Sequence, residues 1–416
     1  MKKIAKITIC GIVSFLSAIS TNIVRANELI VMPDDDSKTH IEQYHDLMSS
    51  LQSARELLAN VSSDMDIFSS IGYSNSYKYS KKKEYNESYS VSAKDRLSIT
   101  NKLGNVTIEH WSKKEVKVNV VVESKSNSES DAQKAINKIA VDINKKENTI
   151  SCVTDISGID FIHNKQEISI NYTVYIPKDF ECEINAKYGN VTMPSTENGK
   201  NSVFDIKYGN FQGGGFENVN ISSAYGSVIL RDSKSANVEL MYSDSDGNIS
   251  NVQNLKLVSK YSVLTLSNIE GLDLESKYDK LYIDNLGSTK CNLKYSTLTI
   301  DNLGHALDCQ YISYGKLVIN NVDKGFDLIN VAAKYSEVKI NMKKIIPCKV
   351  YASNYKYGHC KVSGFNKVEK VTVQNSDDDD SWAKNNDKVN LIVNGGIGGI
   401  INLDGGKYST LYVTGE

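Results

Sequence analysis

Apolar and polar residues alternate with a period of two through much of the second half of the chain, in short runs broken by Gly, Ser, Asn and Asp. The runs recur in a fixed order. In "KYSVLTL" at 260, "KYDKLYI" at 277, "KYSTLTI" at 294 and "SYGKLVI" at 313, apolar residues stand three and five places after a Tyr, as in Leu281/Ile283, Leu298/Ile300 and Leu317/Ile319. A second alternating pair precedes the Tyr, as in Val238/Leu240 and Leu272/Leu274. Such alternation on both sides of a small residue predicts two short strands per unit, each with one buried face. A third apolar residue follows an Asn in "NIEG", "NLGS", "NLGH" and "NVDK".

Eleven tyrosines set the register: Tyr188, Tyr208, Tyr225, Tyr242, Tyr261, Tyr278, Tyr295, Tyr314, Tyr335, Tyr357 and Tyr408. Up to Tyr357 they are spaced 20, 17, 17, 19, 17, 17, 19, 21 and 22 residues apart. A unit this short cannot bury its apolar face alone, but stacked copies can, each strand pairing in parallel with its equivalent roughly 4.8 Å away. The expected fold is mainly β: a parallel β-helix or solenoid of about eleven coils of 17–22 residues, with an N-terminal helix and a small α+β cap. Right-handed winding is the default for parallel crossovers. The stack would be on the order of 50 Å long, counting only the rise per coil.

Stacking turns equal positions into ladders. The tyrosines would form an aromatic column, facing inward or outward, and Asn268, Asn285, Asn302 and Asn321 an amide ladder at one corner. Lys precedes Tyr in eight of the eleven units. Of these, Lys260, Lys277 and Lys294 mark a stripe that reads either as a solvated face or as a strip for an anionic glycan.

Outside the regular repeat the pattern changes. Residues 27–62 contain an amphipathic helix, with Ile41, Tyr44, Leu47, Leu51, Leu58 and Val61 at helical spacing, and residues 63–94 read as a linker rich in Ser, Lys and Tyr. "LSITNKLGNVTIEHW" at 97 matches "CEINAKYGNVTM" at 182, with Leu103 where Tyr188 stands, so residues 95–180 read as a first coil plus an α+β cap. Within it, 130–145 is expected as a helix and "EISINYTVYIP" as a strand; residues 181–416 are the repeats, with an acidic loop at Asp377 to Asp380.

Composition narrows the setting. Lys2, Lys3 and Lys6 precede an apolar run from Ile7 to Ile19 and then Val24-Arg25-Ala26, the pattern of a secretory signal peptide over residues 1–26. Export to the periplasm, cell surface or extracellular space follows, and no later run approaches the ~20 apolar residues of a membrane helix. A net charge of -2 gives no reason to expect a nucleic-acid partner. Six cysteines remain after cleavage (Cys152, Cys182, Cys291, Cys309, Cys348 and Cys360), either as disulfides or as core thiols, and their spacing fits no zinc pattern.

Catalytic templates fail. The His residues are scattered, with His305 and His359 in repeat turns, and no metalloprotease helix, nucleophile elbow or phosphate loop is present. No cofactor is expected. Asp284 and Asp301, at equivalent corners of successive units, could form the carboxylate pair of a glycosidase, or simply bond their own turns.

The signal peptide, the "LGNVTI" opening, the helix-bearing segment, the "VYIP" strand and the "KYGNV" units together resemble the bacterial candidate-adhesin family of secreted β-solenoids, related to the head domain of some autotransporter adhesins. The resemblance spans roughly residues 95–416 and implies a parallel β-helix at the cell envelope; its motifs are structural, so no catalytic residue carries over. The expectation is a non-enzymatic structural or adhesive envelope protein, with a cell-surface glycan or another envelope protein as partner. A polysaccharide lyase or glycosidase, or an envelope-sensing binding module, is the alternative.

Overall fold

The computed structural model describes residues 77–158, 166–243, 247–353, 358–371, 388–406 and 408–416. Apart from Tyr77 these belong to the second of two compact units, Lys78–Glu416. The expected signal peptide and amphipathic helix, together with Tyr357, Lys356, Lys407 and the acidic loop, lie outside the described residues. Strands dominate, most of them paired in parallel, and Glu129–Asn137 is the one helix among the described residues.

The regular region follows from the period-two pattern. Strand Asn248–Lys260 pairs in parallel with Val263–Lys277, which pairs with Lys280–Lys294, which pairs with Thr297–Ser313. The register sets like beside like: Leu264 beside Leu281, Leu281 beside Leu298, and Leu298 beside Leu317. Leu281, Leu298, Leu317, Val338 and Leu411 form one such inward row and are all 0 % exposed. Full burial of each stabilises the stack by about 1.5–3 kcal/mol. The third apolar position of each unit, Val252, Ile269, Leu286, Leu303 and Val322, is also buried.

At the N-terminal side, strand Arg96–Lys102 lies parallel to Glu181–Lys187, with Lys102 opposite Lys187, and Val106–His110 lies beside Val191–Thr192. The segment at 97 is thus stacked on the Tyr188 unit. Its opposite edges are covered by Thr149–Asp155 and Gln166–Ile176. Gln166–Ile176, Glu115–Ser126 and Tyr79–Ser90 form an antiparallel ribbon, and the helix places Ala132, Ala135 and Ile136 in the core, its N-terminus capped by the Ser128 side chain.

Two expectations fail here. The stretch read as a linker contains the twelve-residue strand Tyr79–Ser90. Tyr85 and Tyr89 pack against the core while Lys82, Lys83 and Glu87 face solvent, so a polar composition marks a protected edge strand and not an absence of structure. The helix expected over 130–145 ends at Asn137, and Ala140–Lys146 instead forms a hairpin with Thr149–Asp155. The β-branched Val141 and Ile143 alternate along that strand and both pack on the core, and Glu147, at φ +51°, makes the reversal.

The C-terminal side departs from chain order. Strand Thr410–Gly415 pairs in parallel with Glu337–Met342 on one edge and with His359–Ser363 on the other. Strand Gly399–Asp404 likewise lies between Leu328–Lys334 and Cys348–Ser353. The last unit is therefore inserted between two earlier ones, and the expectation that each unit lies over its successor in sequence is corrected there. Beyond it, Cys348–Ser353 is closed by an antiparallel pairing with Lys388–Val393.

Candidate functional site

The tyrosine corner is built from three linked choices. Each tyrosine of the column takes a positive φ, from +51° at Tyr314 to +60° at Tyr188, Tyr225 and Tyr278, and Leu103 takes +64° at the equivalent place. A left-handed residue costs about 1–2 kcal/mol. Against that, the backbone N–H of each corner from Tyr188 to Tyr314 donates to a carbonyl of the next unit, as Tyr261 N to Lys277 O at 3.1 Å and Tyr278 N to Lys294 O at 3.0 Å. The small residue that follows completes the turn: the Ser262 hydroxyl donates to Lys260 O at 2.9 Å while accepting from Ser243 N at 3.0 Å.

The left-handed corner turns the ring outward. Tyr188, Tyr208, Tyr225 and Tyr408 remain 45–50 % exposed, and the rings stack in one column. Centroids lie 4.8 Å apart at Tyr208–Tyr225, 5.0 Å at Tyr261–Tyr278 and Tyr278–Tyr295, and 5.5 Å at Tyr335–Tyr408, with ring planes within 14° throughout. The spacing is that of the strands beneath, and each stacked pair adds about 0.5–1.5 kcal/mol beyond area burial. Burial and the neighbouring phenols of Tyr295 and Tyr261 push the Tyr278 hydroxyl well above the usual phenol range.

Lysines lie over the column. The Lys187 ammonium stands 4.9 Å from the Tyr188 ring, Lys277 5.1 Å from Tyr278 and Lys294 5.6 Å from Tyr295. Burial, then the charges of Lys294 and Lys260, lower the Lys277 pKa.

A second ladder runs at the Asn corner. Asn268 donates to Asn251 at 2.9 Å, Asn285 to Asn268 at 2.8 Å, Asn302 to Asn285 at 3.1 Å and Asn321 to Asn302 at 3.2 Å. Asn251 in turn donates to the Asp232 carboxylate at 2.8 Å. Asn251 and Asp232 were not anticipated. "SNV" at 250 matches "SNI" at 267 and carried the signal for Asn251, whereas Asp232 shares only its place in the turn.

The family model of Toastrack DUF4097 matches residues 94–391. The chain belongs to the Toastrack DUF4097 family. Among solved structures it is similar to a candidate adhesin from Parabacteroides merdae, with 10 % identity and a TM-score of 0.34 over 62 % of this chain and 92 % of that one. A candidate adhesin from Bacteroides fragilis shows 15 % identity and a TM-score of 0.30, over 62 % and 97 %. A candidate lipid-binding protein from Parabacteroides distasonis shows 10 % identity and 0.30, over 62 % and 94 %. No curated protein matches the chain.

Other titratable groups of this Toastrack chain bond across the same ladders. Asp284 accepts from the Ser267 hydroxyl at 2.6 Å, and Asp301 from the Asn320 amide at 2.7 Å. The two occupy equivalent corners in adjacent strands, next to Asn285 and Asn302, but each carboxylate is held toward a different neighbour. Among the described residues no group of three or more His, Cys, Asp and Glu is arranged to hold a metal ion. His359 Nε2 lies 3.0 Å from the Tyr412 hydroxyl.

The sequence offers Asp279 as a flanking acid interleaved with the lysines before each Tyr, but the structure buries it. It is 3 % exposed and occupies the place held by Ser262 and Ser296 in the adjoining units. Its carboxylate accepts from Ser276 Oγ at 2.7 Å, Ser262 N at 2.8 Å and Lys277 N at 3.1 Å, yet burial outweighs these bonds and raises its pKa to about 6.

All six cysteines described stand as free thiols, five of them buried. Cys291 and Cys309 sit opposite one another in adjacent strands of the core.

Proposed function

We propose that this Toastrack chain is a non-enzymatic, exported envelope or cell-surface scaffold with a structural or adhesive role. Its repeats are read as winding right-handed in about eleven coils, the default hand for parallel crossovers. Export rests on the charged and apolar pattern of residues 1–26.

One observation carries the reading: the side chains repeated along the walls bond to their own copies. Tyrosine stacks on tyrosine from Tyr188 through Tyr408, and asparagine donates to asparagine from Asn321 back to Asn251. A body made this way presents long, regular walls at a fixed repeat, which serves a scaffold or a multivalent contact. The Lys260, Lys277 and Lys294 strip is read as a solvated face that keeps the column soluble.

The test is cell fractionation of a strain expressing the full chain, joined to surface-attachment assays with and without the gene and to a polysaccharide depolymerisation assay. The reading predicts recovery in the envelope or medium, attachment that depends on the gene, and no depolymerisation. Depolymerisation abolished by Asp284→Asn or Asp301→Asn would overturn it.

A further inference from the structure

Insertion of the last unit breaks the regularity of one outward wall. In the units before it, one outward row runs through Asn237, Lys256, Asp273, Lys290 and Asp308, each beside the next. The row two residues further along each strand holds Glu239, Val258, Glu275 and Asn292, so larger side chains cover the sheet. Past Asp308 the first row continues through Asn330, Asn402 and Tyr351. The second becomes Ala332, Asp404 and Ser353. Two short side chains flanking one carboxylate leave a hollow of about 320 Å³. The register slips between Cys309 and Ile312 at its edge, a bulge of the kind that bends a strand beside a binding site.

We infer that this hollow binds an uncharged glycan through roughly one or two sugar rings, a size at the low end of small-ligand sites. Asn402 Nδ2 donates to Asn330 Oδ1 at 2.8 Å, which leaves the Asn330 amide N–H group and the Asn402 carbonyl outside that bond. With Asp308 and Asp404 they supply donors and acceptors together on one floor, the mixture that neighbouring hydroxyls require. Tyr351, 39 % exposed, adds an aromatic surface for the C–H face of a sugar. No Lys or Arg stands among the described lining residues, and two carboxylates repel an anion, so acidic sugars are excluded. The inference deepens the adhesive reading by naming what the wall would hold.

The test uses the full chain on an array of immobilised neutral, acidic and amino oligosaccharides, followed by calorimetric titration with the strongest neutral binder. Binding to neutral oligosaccharides is expected, weakened at least about tenfold by Tyr351→Ala and by Asn402→Ala. Ala332→Gln, an outward substitution that fills the hollow without touching the core, is expected to abolish it at unchanged melting temperature. Lys277→Ala with Lys294→Ala is expected to leave it intact. No neutral binder, a preference for acidic oligosaccharides, or neutral binding undiminished in Ala332→Gln would overturn the site. Gene-dependent attachment by a chain that binds no neutral oligosaccharide would sink the site and leave the adhesive reading standing; sugar binding without any attachment would do the reverse.

Discussion

The rings of Tyr335 and Tyr408 stack with centroids 5.5 Å apart although the residues are 73 positions apart in the chain. The last unit therefore continues the aromatic column directly from the Tyr335 unit, and the strand after Tyr408 has a partner on both edges. Leu411 and Val413, both 0 % exposed, complete inward rows that would otherwise be interrupted. Closing the sheet thus needs contacts of long sequence separation, the kind that slow folding.

The corner geometry makes the usual ranking of Ala and Gly reverse at Tyr278. Removing this ring breaks stacks with Tyr261 and Tyr295, each at 5.0 Å, at a cost of about 1–3 kcal/mol for the two pairs. The residue holds φ +60°, where Ala carries the left-handed penalty and Gly does not. Chemical denaturation should place Tyr278→Gly at or above Tyr278→Ala in stability. A Gly variant weaker by the ~0.5–1 kcal/mol typical of a strand interior would contradict the corner.

Asp279 predicts a pH dependence of definite sign. Its folded pKa of about 6 lies above the ordinary aspartate value of 3.8, so the fold favours the protonated form. That contribution is complete below about pH 4 and is lost as pH rises through about 6. Asp279→Asn keeps an acceptor without the charge, so it should gain on the parent by on the order of 1–3 kcal/mol at pH 8 and gain nothing at pH 4. Thermal melts at the two pH values decide it; a gain independent of pH would rule out the buried charge.

The thiols should be inert in the folded chain. Burial pushes Cys152 and Cys182 up to about 12 and Cys348 and Cys360 up to about 11, and Cys291 is raised by its bond with Cys309 and by burial. A thiol-titrating reagent at pH 8 should react slowly with the native protein and with every one of these six cysteines once denaturant is added. Thiols missing under denaturing, non-reducing conditions would reveal disulfides.

The repeated part of the fold was legible because one period governed several signals at once. Tyr at the corner, apolar residues three and five places on, and Asn before the third apolar residue recur together, so errors in one are corrected by the others. Order along the stack was not legible at the C-terminal side: the 22-residue step from Tyr335 to Tyr357 looks like any other, and nothing local in "KYSTLYV" at 407 says that it lies beside Glu337–Met342. The cap misled for a different reason. Ala132 through Ile139 carry a helical period that ends near Asn137, and only the alternation of Val141 and Ile143 separates the following strand from it. The hollow beside Asn402 was invisible because its shape depends on which strands become neighbours, while Asp279 differs from Ser262 and Ser296 only in carrying a charge that burial must accommodate.

Paired cysteines at outward positions of the terminal strands test the stacking order most directly. Lys339 is opposite Tyr412, and Tyr412 is opposite Lys361. Adjacent strands place Cα atoms about 4.8 Å apart, inside the range a disulfide spans, whereas two strand spacings, about 9.6 Å, lie outside it. Under mild oxidation, Lys339→Cys with Tyr412→Cys and Lys361→Cys with Tyr412→Cys should cross-link, and Lys339→Cys with Lys361→Cys should not. A bridge between positions 339 and 361, with none between 339 and 412, would show the units stacked in chain order and contradict the account.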